Sequence, residues 1–539
     1  MIWFVRDFDL LSLLLRALSF ALEALAFGGV FFLLFAARPA NLGSESQARL
    51  RRVAAGFALA LAVTQIALIA ATSAVLMGSS GMGLHDVVSA AYFVAGTIFT
   101  AASLTLSLLL RLTSKLTLAA LPGLVVLAAS VSLSHAASRM DHRPLLMVLT
   151  AAHHLGMAAW IGALPFLLIA LRLNRDEAIS RQMARRFSTM AVISVATLIA
   201  AGAGLSWFYA GSWQGMYGTS YGLLLSAKVV LTALILTLGA GNFLLLRRVD
   251  SDPAPLLLRL RRFSEAEIGL GFTVILAAAS LTAQSPSVDE TPQDTLTGHQ
   301  VVERVEWRWP SFHAPAFSQL APPTPLSVAV REATYTGGSV SDANDRAWSE
   351  YNHHWAGLIV LAAGALALIS RLPGHGWARH WPLLFLGLSI FILLRADPEC
   401  WPLGPRPFWA SFTAPDVLEH RAYAVLIAIF SIFEWGVQTG RFRRPRARFV
   451  FPVLCAAGGA LLLTHTHAFG EGTDEVYAGL GHTPIALLGA VAGWGRWLEL
   501  RLDDRNAEVE ESRPRRIAAW IWPACLVLIG LLLLNYRES

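Results

Sequence analysis

Apolar runs of about 20 residues recur along this chain, and a run of that length is what a helix needs to cross the hydrocarbon of a bilayer. They predict about fourteen transmembrane helices: 10–36, 53–77, 86–110, 116–137, 145–171, 188–210, 221–246, 264–283, 354–370, 381–395, 421–440, 449–466, 477–499 and 517–535. One longer polar stretch, 284–352, breaks the series; it is rich in Pro and Thr and carries Trp307, Trp309, His299 and His313. The expected fold is an all-α, polytopic helical membrane bundle in three parts. These are an eight-helix domain over 1–283, an extracytoplasmic linker or small irregular domain over 284–352, and a six-helix domain over 353–539. A stretch of about 70 residues is marginal for a core of its own.

Composition agrees with this pattern. The 539 residues are 55% hydrophobic and 14% charged, with a mean hydropathy of +0.54. The basic residues are unevenly placed. Connections 37–52, 111–115, 172–187, 247–262, 371–380, 441–448 and 501–516 hold 28 of the 42 Lys and Arg residues. By the positive-inside rule these alternate connections are cytoplasmic, so both termini are expected on the extracytoplasmic side. The basic pI then reflects these loops and gives no reason to expect nucleic acid as a partner. The first span, with Arg6 beside Asp7 and Asp9 and its basic cluster behind it, is expected to be a retained helix rather than a cleaved signal.

That orientation sorts the histidines. Of the 15 in the chain, only His375 and His380 fall on the inner side. Outside lie His85, His135, His142, His153 and His154 in the first half, and His353, His354, His420, His465, His467 and His482 in the second. Met82 and His85 share the outer loop before the third span. On the fifth span His153 and Met157 are i,i+4, and His154 and Met157 are i,i+3, so either histidine can share a face with the thioether. His153 and His154 themselves point about 100° apart. Imidazole with thioether is a donor set for copper, Cu(I) where Met takes part and Cu(II) for His alone. The candidate ligands are therefore His85, His135, His153, His154, Met82 and Met157, with His353, His354, His420, His465, His467 and His482 in the second half.

Three polar residues inside spans, Glu23, Gln65 and Lys228, are candidates for a polar path, because an ionisable group within a bilayer is costly unless it has a partner or a use. Lys228 can snorkel outward or pair with Glu23. The three cysteines form no CxxC and no disulfide framework. No P-loop, G-x-S-x-G or HExxH is present, which excludes a copper-pumping ATPase and the commoner hydrolases, and no enzymatic role is expected. Two other classes remain open. One is a b-type haem protein moving electrons or reducing copper, with facing histidines as axial ligands. The other is a partner that delivers copper to another membrane protein.

The outer His135-Ala-Ala, the His154-to-Trp160-x-Gly162 run, Arg186-Phe187-Ser188, Gly202 and Thr219-x-Tyr221-Gly222-x-x-Leu225-x-x-Lys228 together resemble the copper resistance D (CopD/PcoD-like) family. The resemblance covers roughly residues 130–285 and, more loosely, 1–130. It implies copper movement across a bacterial inner membrane, often beside a periplasmic copper-binding protein. It also implies that His85, His135 and His153 or His154 are copper ligands.

Overall fold

The computed structural model describes residues 8–247, 253–315, 320, 340–398, 400–412, 415–465, 472–502 and 513–538. Among them the regular elements are helices, with no strand. Among the described residues twelve helices are long and apolar enough to cross a membrane. Two of the expected spans fall outside that set. In the first, the apolar helix Leu116–Ser132 is shorter than the rest. The second lies within the 24-residue helix Pro415–Gln438, which carries Glu419, Arg421 and Glu434. The chain folds as two compact units, Met1–Gly215 with Lys228–Asp289, and Met216–Ala227 with Glu290–Ser539.

The long helices of unit 1 are α1 (Phe8–Phe32), α2 (Ser44–Ser79), α3 (Ala91–Leu112), α4 (Ala120–Ser132), α5 (Arg143–Met157), α6 (Leu164–Leu173), α7 (Glu177–Ala210), α8 (Ser220–Arg247, from Lys228 onward) and α9 (Pro253–Leu281). α1 is the most buried of the apolar spans. It packs on α2, on α9 and on the turn between α5 and α6. Asp176 starts α7 by accepting hydrogen bonds from the backbone N–H of Ala178 and Ile179, which would otherwise lack partners.

α5 and α6 are one span with a defect. Pro165 cannot donate to the carbonyl four residues back, and the preceding turn, Ala158–Gly162, widens into a π-helix. The widened turn lies hard against α1: a Cβ on Gly162 would stand 2.0 Å from the carbonyl oxygen of Ala24, and one on Gly28 would stand 2.1 Å from the backbone of Gly162. Helices in a bilayer gain little from hydrophobic burial against one another. Close backbone approach at small residues takes that role. The glycine of the Trp-x-Gly motif is thereby explained by packing.

Unit 2 holds α10 (Val340–Ile369), α11 (Pro382–Arg395), α12 (Pro415–Gln438), α13 (Val450–His465), α14 (Thr473–Arg501) and α15 (Arg513–Leu534). α10 packs on α15, α13 on α14, and α11 on α12. Its centre is aromatic: Trp381, Phe385, Phe430, Phe451 and Trp522 form one cluster of edge-on and tilted rings.

Candidate functional site

On α1 the polar residues Ser12, Arg16, Ser19 and Glu23 are spaced four, three and four apart and so lie along one face. Ser12, Ser19 and Glu23 are buried. Polar groups at membrane depth must find partners within the protein, and these do. Ser130 of α4 donates to Glu23 Oε2 at 2.8 Å. His154 of α5 meets Glu23 Oε1 through Nδ1 at 3.3 Å. Gln65 of α2 donates from Nε2 to Ser19 Oγ at 2.8 Å. Phe20 stands edge-on to the His154 ring. With Nδ1 donating to a carboxylate, His154 carries its lone pair on Nε2, the arrangement of a metal-ligating imidazole held by a carboxylate behind it.

His153 faces elsewhere. Its Nε2 lies 3.4 Å from Lys228 Nζ. Gly202 makes room for the ring: a Cβ there would sit 3.4 Å from His153 Cε1. The sequence left Lys228 to snorkel or to pair with Glu23. The structure does neither: Lys228 meets His153, while Glu23 takes His154 and Ser130. A lysine ammonium has donors only, so it occupies the Nε2 lone pair of His153.

His135 lies beyond the end of α4, in the short helix His135–Ser138, and is half-buried. Its Nε2 is 3.1 Å from the carbonyl oxygen of Thr282, which Arg16 also approaches at 3.4 Å. Burial holds this imidazole below its ordinary pKa; Arg16 and Arg139 add to that, and the Thr282 carbonyl opposes it. With Nε2–H on the carbonyl, Nδ1 is the nitrogen left for a metal. Met157 is half-buried one turn beyond His153. Met82 is half-buried and His85 is exposed, its ring 3.8 Å from Asp86. His142, in the left-handed region at φ 55°, packs on Phe208.

In unit 2, His353 stacks on Tyr536 at 3.8 Å, and the His482 ring lies 5.9 Å from that of His353. Both turn Nδ1 to a carbonyl four residues back, Ser349 and Ala478 respectively. His354 presents both ring nitrogens to carbonyls, Ser311 and Tyr536, at 2.8 and 3.0 Å. His420 bonds Asp397 at 2.7 Å. His467 and the side chain of His465 lie outside the described residues. Among the described residues no group of three or more His, Cys, Asp or Glu side chains is placed to hold a metal ion.

One buried group escaped the sequence analysis. Glu267 of α9 is 2% exposed. It accepts from Asn242 of α8 and from the Trp160 side chain of the widened turn. It sits in a stretch, Arg261-Arg262-Phe-Ser-Glu-Ala-Glu267, that reads as an interfacial charge run. The signal that singles it out is its spacing from Ser264 and Gly271, both turned inward on the same helix face.

Comparison with known proteins bears on the same helices. Residues 181–281 match the CopD family, Copper resistance protein D. A curated protein of Bacillus subtilis (strain 168), named Copper transport protein CutJ, is 25% identical over 171 residues, covering 31% of this chain and 30% of that protein's length. No solved structure matches. The matched stretch runs through α7, α8 and α9, and so includes Lys228, Asn242 and Glu267 but none of the candidate histidines. The chain is a multi-pass, helical membrane protein, and over α7 to α9 it is similar to the CopD family.

Proposed function

We propose that this protein binds copper at the extracytoplasmic face of a bacterial inner membrane and mediates its passage across that membrane. The basic connections orient it, with both termini outside. Met82 and the exposed His85, at the start of the short helix Leu84–Ser89, meet the ion first. His135, half-buried and neutral, passes it to His154, whose Nε2 is backed by Glu23 and Ser130. Met157 on the same helix leads deeper. Gln65 anchors the Glu23 helix through Ser19, and Lys228 keeps His153 out of the ligand set. A periplasmic copper-binding protein is the partner that fits the exposed entry. The histidines of unit 2, His353, His354, His420, His465, His467 and His482, stand apart from this route as a second outer group.

The observation that carries the reading is the His154–Glu23–Ser130 cluster: a half-buried imidazole set on a buried carboxylate inside an apolar bundle. Such a pair is expensive to keep in a membrane without a use. Replacing His135, His153 and His154 together by Ala should abolish high-affinity copper binding by the purified protein while its helical circular dichroism persists. Among single variants, His154→Ala should lose more than His153→Ala. Wild-type copper stoichiometry in the triple variant would sink the assignment. An absorption spectrum of the same sample tests the rival, because a Soret band would favour the b-type haem reading.

A further inference from the structure

Glu267 takes no part in that route. Thr282, against which His135 rests, and Glu267 belong to one helical stretch and are 15 residues apart, so Glu267 lies about 22 Å further along the axis. Glu23 is seven residues from Arg16, the other side chain at Thr282, and so only about 10 Å in. Between the two levels the helices touch through Ala24, Gly28, Gly162, Ile161 and Gly271, all apolar. Glu267 is thus a second polar station, toward the opposite end of the bundle.

Its surroundings decide its chemistry. A cavity of about 40 Å³ adjoins it, with Trp160, Ser188, Asn242 and Ser264 as the other polar groups on its wall and no Lys, Arg or His among the lining residues. That is room for about one water molecule. No charged side chain acts on Glu267, and basic groups on the neighbouring helices have partners of their own. Arg261 bonds the carbonyl of Leu171, Arg172 pairs with Glu265, and Arg247 lies over Phe243. A carboxylate this deep with no cation beside it is not sustainable as an anion, and a proton is the least that can neutralise it. Asn242 suits both states. Its Nδ2 faces Glu267 Oε1, while its Oδ1 is buried and has no partner. An amide turned over is indistinguishable in shape and would offer that oxygen to a carboxylic O–H. The asparagine can therefore donate to the carboxylate and accept from the acid.

We propose that Glu267 is a proton-binding site and that the proton it releases is exchanged for the cation this protein moves. On release, the carboxylic O–H breaks, the proton passes to a water in the cavity and on to solvent at the Arg261–Arg262 end, and Asn242 turns to donate to the anion. The cation within the bundle then balances the charge until a proton returns. No phosphoryl chemistry is needed, which agrees with the absence of a P-loop. The coupling rests on the transport reading above, whereas the proton site does not.

Two measurements on the full-length protein separate them. In infrared difference spectra between acid and alkaline pH, the wild type should show a carboxylic-acid carbonyl band. Glu267→Gln should lose it and Glu267→Asp should retain it at a shifted position. A band unchanged in Glu267→Gln, or absent from the wild type, overturns the proton site. In vesicles loaded with a pH-sensitive dye, added copper should drive proton movement in the wild type. Glu267→Gln should reduce it to the protein-free background while copper still binds at wild-type stoichiometry. Copper flux without proton movement overturns the coupling. No copper flux in the wild type, with the infrared band present, overturns the transport reading and the coupling with it but upholds the proton site.

Discussion

In unit 2 two arginines face two glutamates; in unit 1 Glu23, Lys228 and Glu267 meet uncharged side chains or an imidazole instead. Arg496 of α14 reaches Glu434 of α12 and Glu499 of its own helix, each at 2.8 Å. Arg371, just past α10, grips Glu499 with both terminal nitrogens, at 2.8 and 3.1 Å. Trp522 of α15 donates to Glu499 at 2.6 Å and lies under both guanidinium groups. Four helices are joined by a neutral network, bidentate at Arg371, of the kind that fixes geometry. In unit 1, Glu23 meets a serine and a histidine, Lys228 a histidine, and Glu267 an asparagine. Those partners can accept a changed proton or metal count. The contrast separates a unit built to hold one arrangement from a unit whose buried groups can change state.

The largest expected effect breaks the fixed side of that contrast. Arg496→Met leaves Glu434 and Glu499 buried with one cation between them, and losing one partner of a buried network costs about 3–5 kcal/mol. Thermal unfolding of the purified protein should show a large drop, while copper bound per folded molecule stays at the wild-type level. A wild-type melting temperature in this variant would mean that the network does not hold unit 2 together.

The next effect tests the changeable side. Glu23→Gln keeps the shape but removes the charge behind His154. Loss of a carboxylate that orients a ligating histidine typically weakens metal binding about 10–100-fold. Copper titration should show that loss with little change in the melting temperature. Equal affinity in the two proteins would leave Glu23 as a helix-joining group alone.

These residues show how far the sequence could be read. The apolar runs and basic connections gave the helices, and the motifs from Arg186 to Lys228 pointed to the CopD-like stretch. Glu23, Gln65 and Lys228 stood out singly, because a polar side chain in an apolar run needs a partner. Which partner each takes was not legible. Glu23 and His154 are 131 positions apart, and which faces of α1 and α5 meet is set by the close approach of Ala24 to Gly162. That approach depends in turn on a π-helical turn ahead of Pro165, and periodicity counted at 3.6 residues per turn does not register it. Glu267 was hidden differently. Arg262 and Glu265 beside it imitate a solvated run, and only folding shows that Glu265 turns to Arg172 while Glu267 turns inward.

The smallest effect concerns His135 and the response of the two units to mild acid. Burial depresses its pKa below the ordinary 6.5, so at neutral pH the folded ring is uncharged with a lone pair for copper. The unfolded chain protonates first as pH falls. In the window between 6.5 and the lower folded value, the unfolded state binds more protons than the folded one, and stability declines. The contribution is thus complete above 6.5 and disappears as pH drops through the folded value. Melting temperatures of the copper-free protein should decline through this range, and His135→Gln should flatten part of the decline. Arg496→Met, by contrast, should lower the whole curve across this range. If His135→Gln has the wild-type slope, the acid response arises at other histidines, and His135 is not the neutral ligand at the mouth of unit 1.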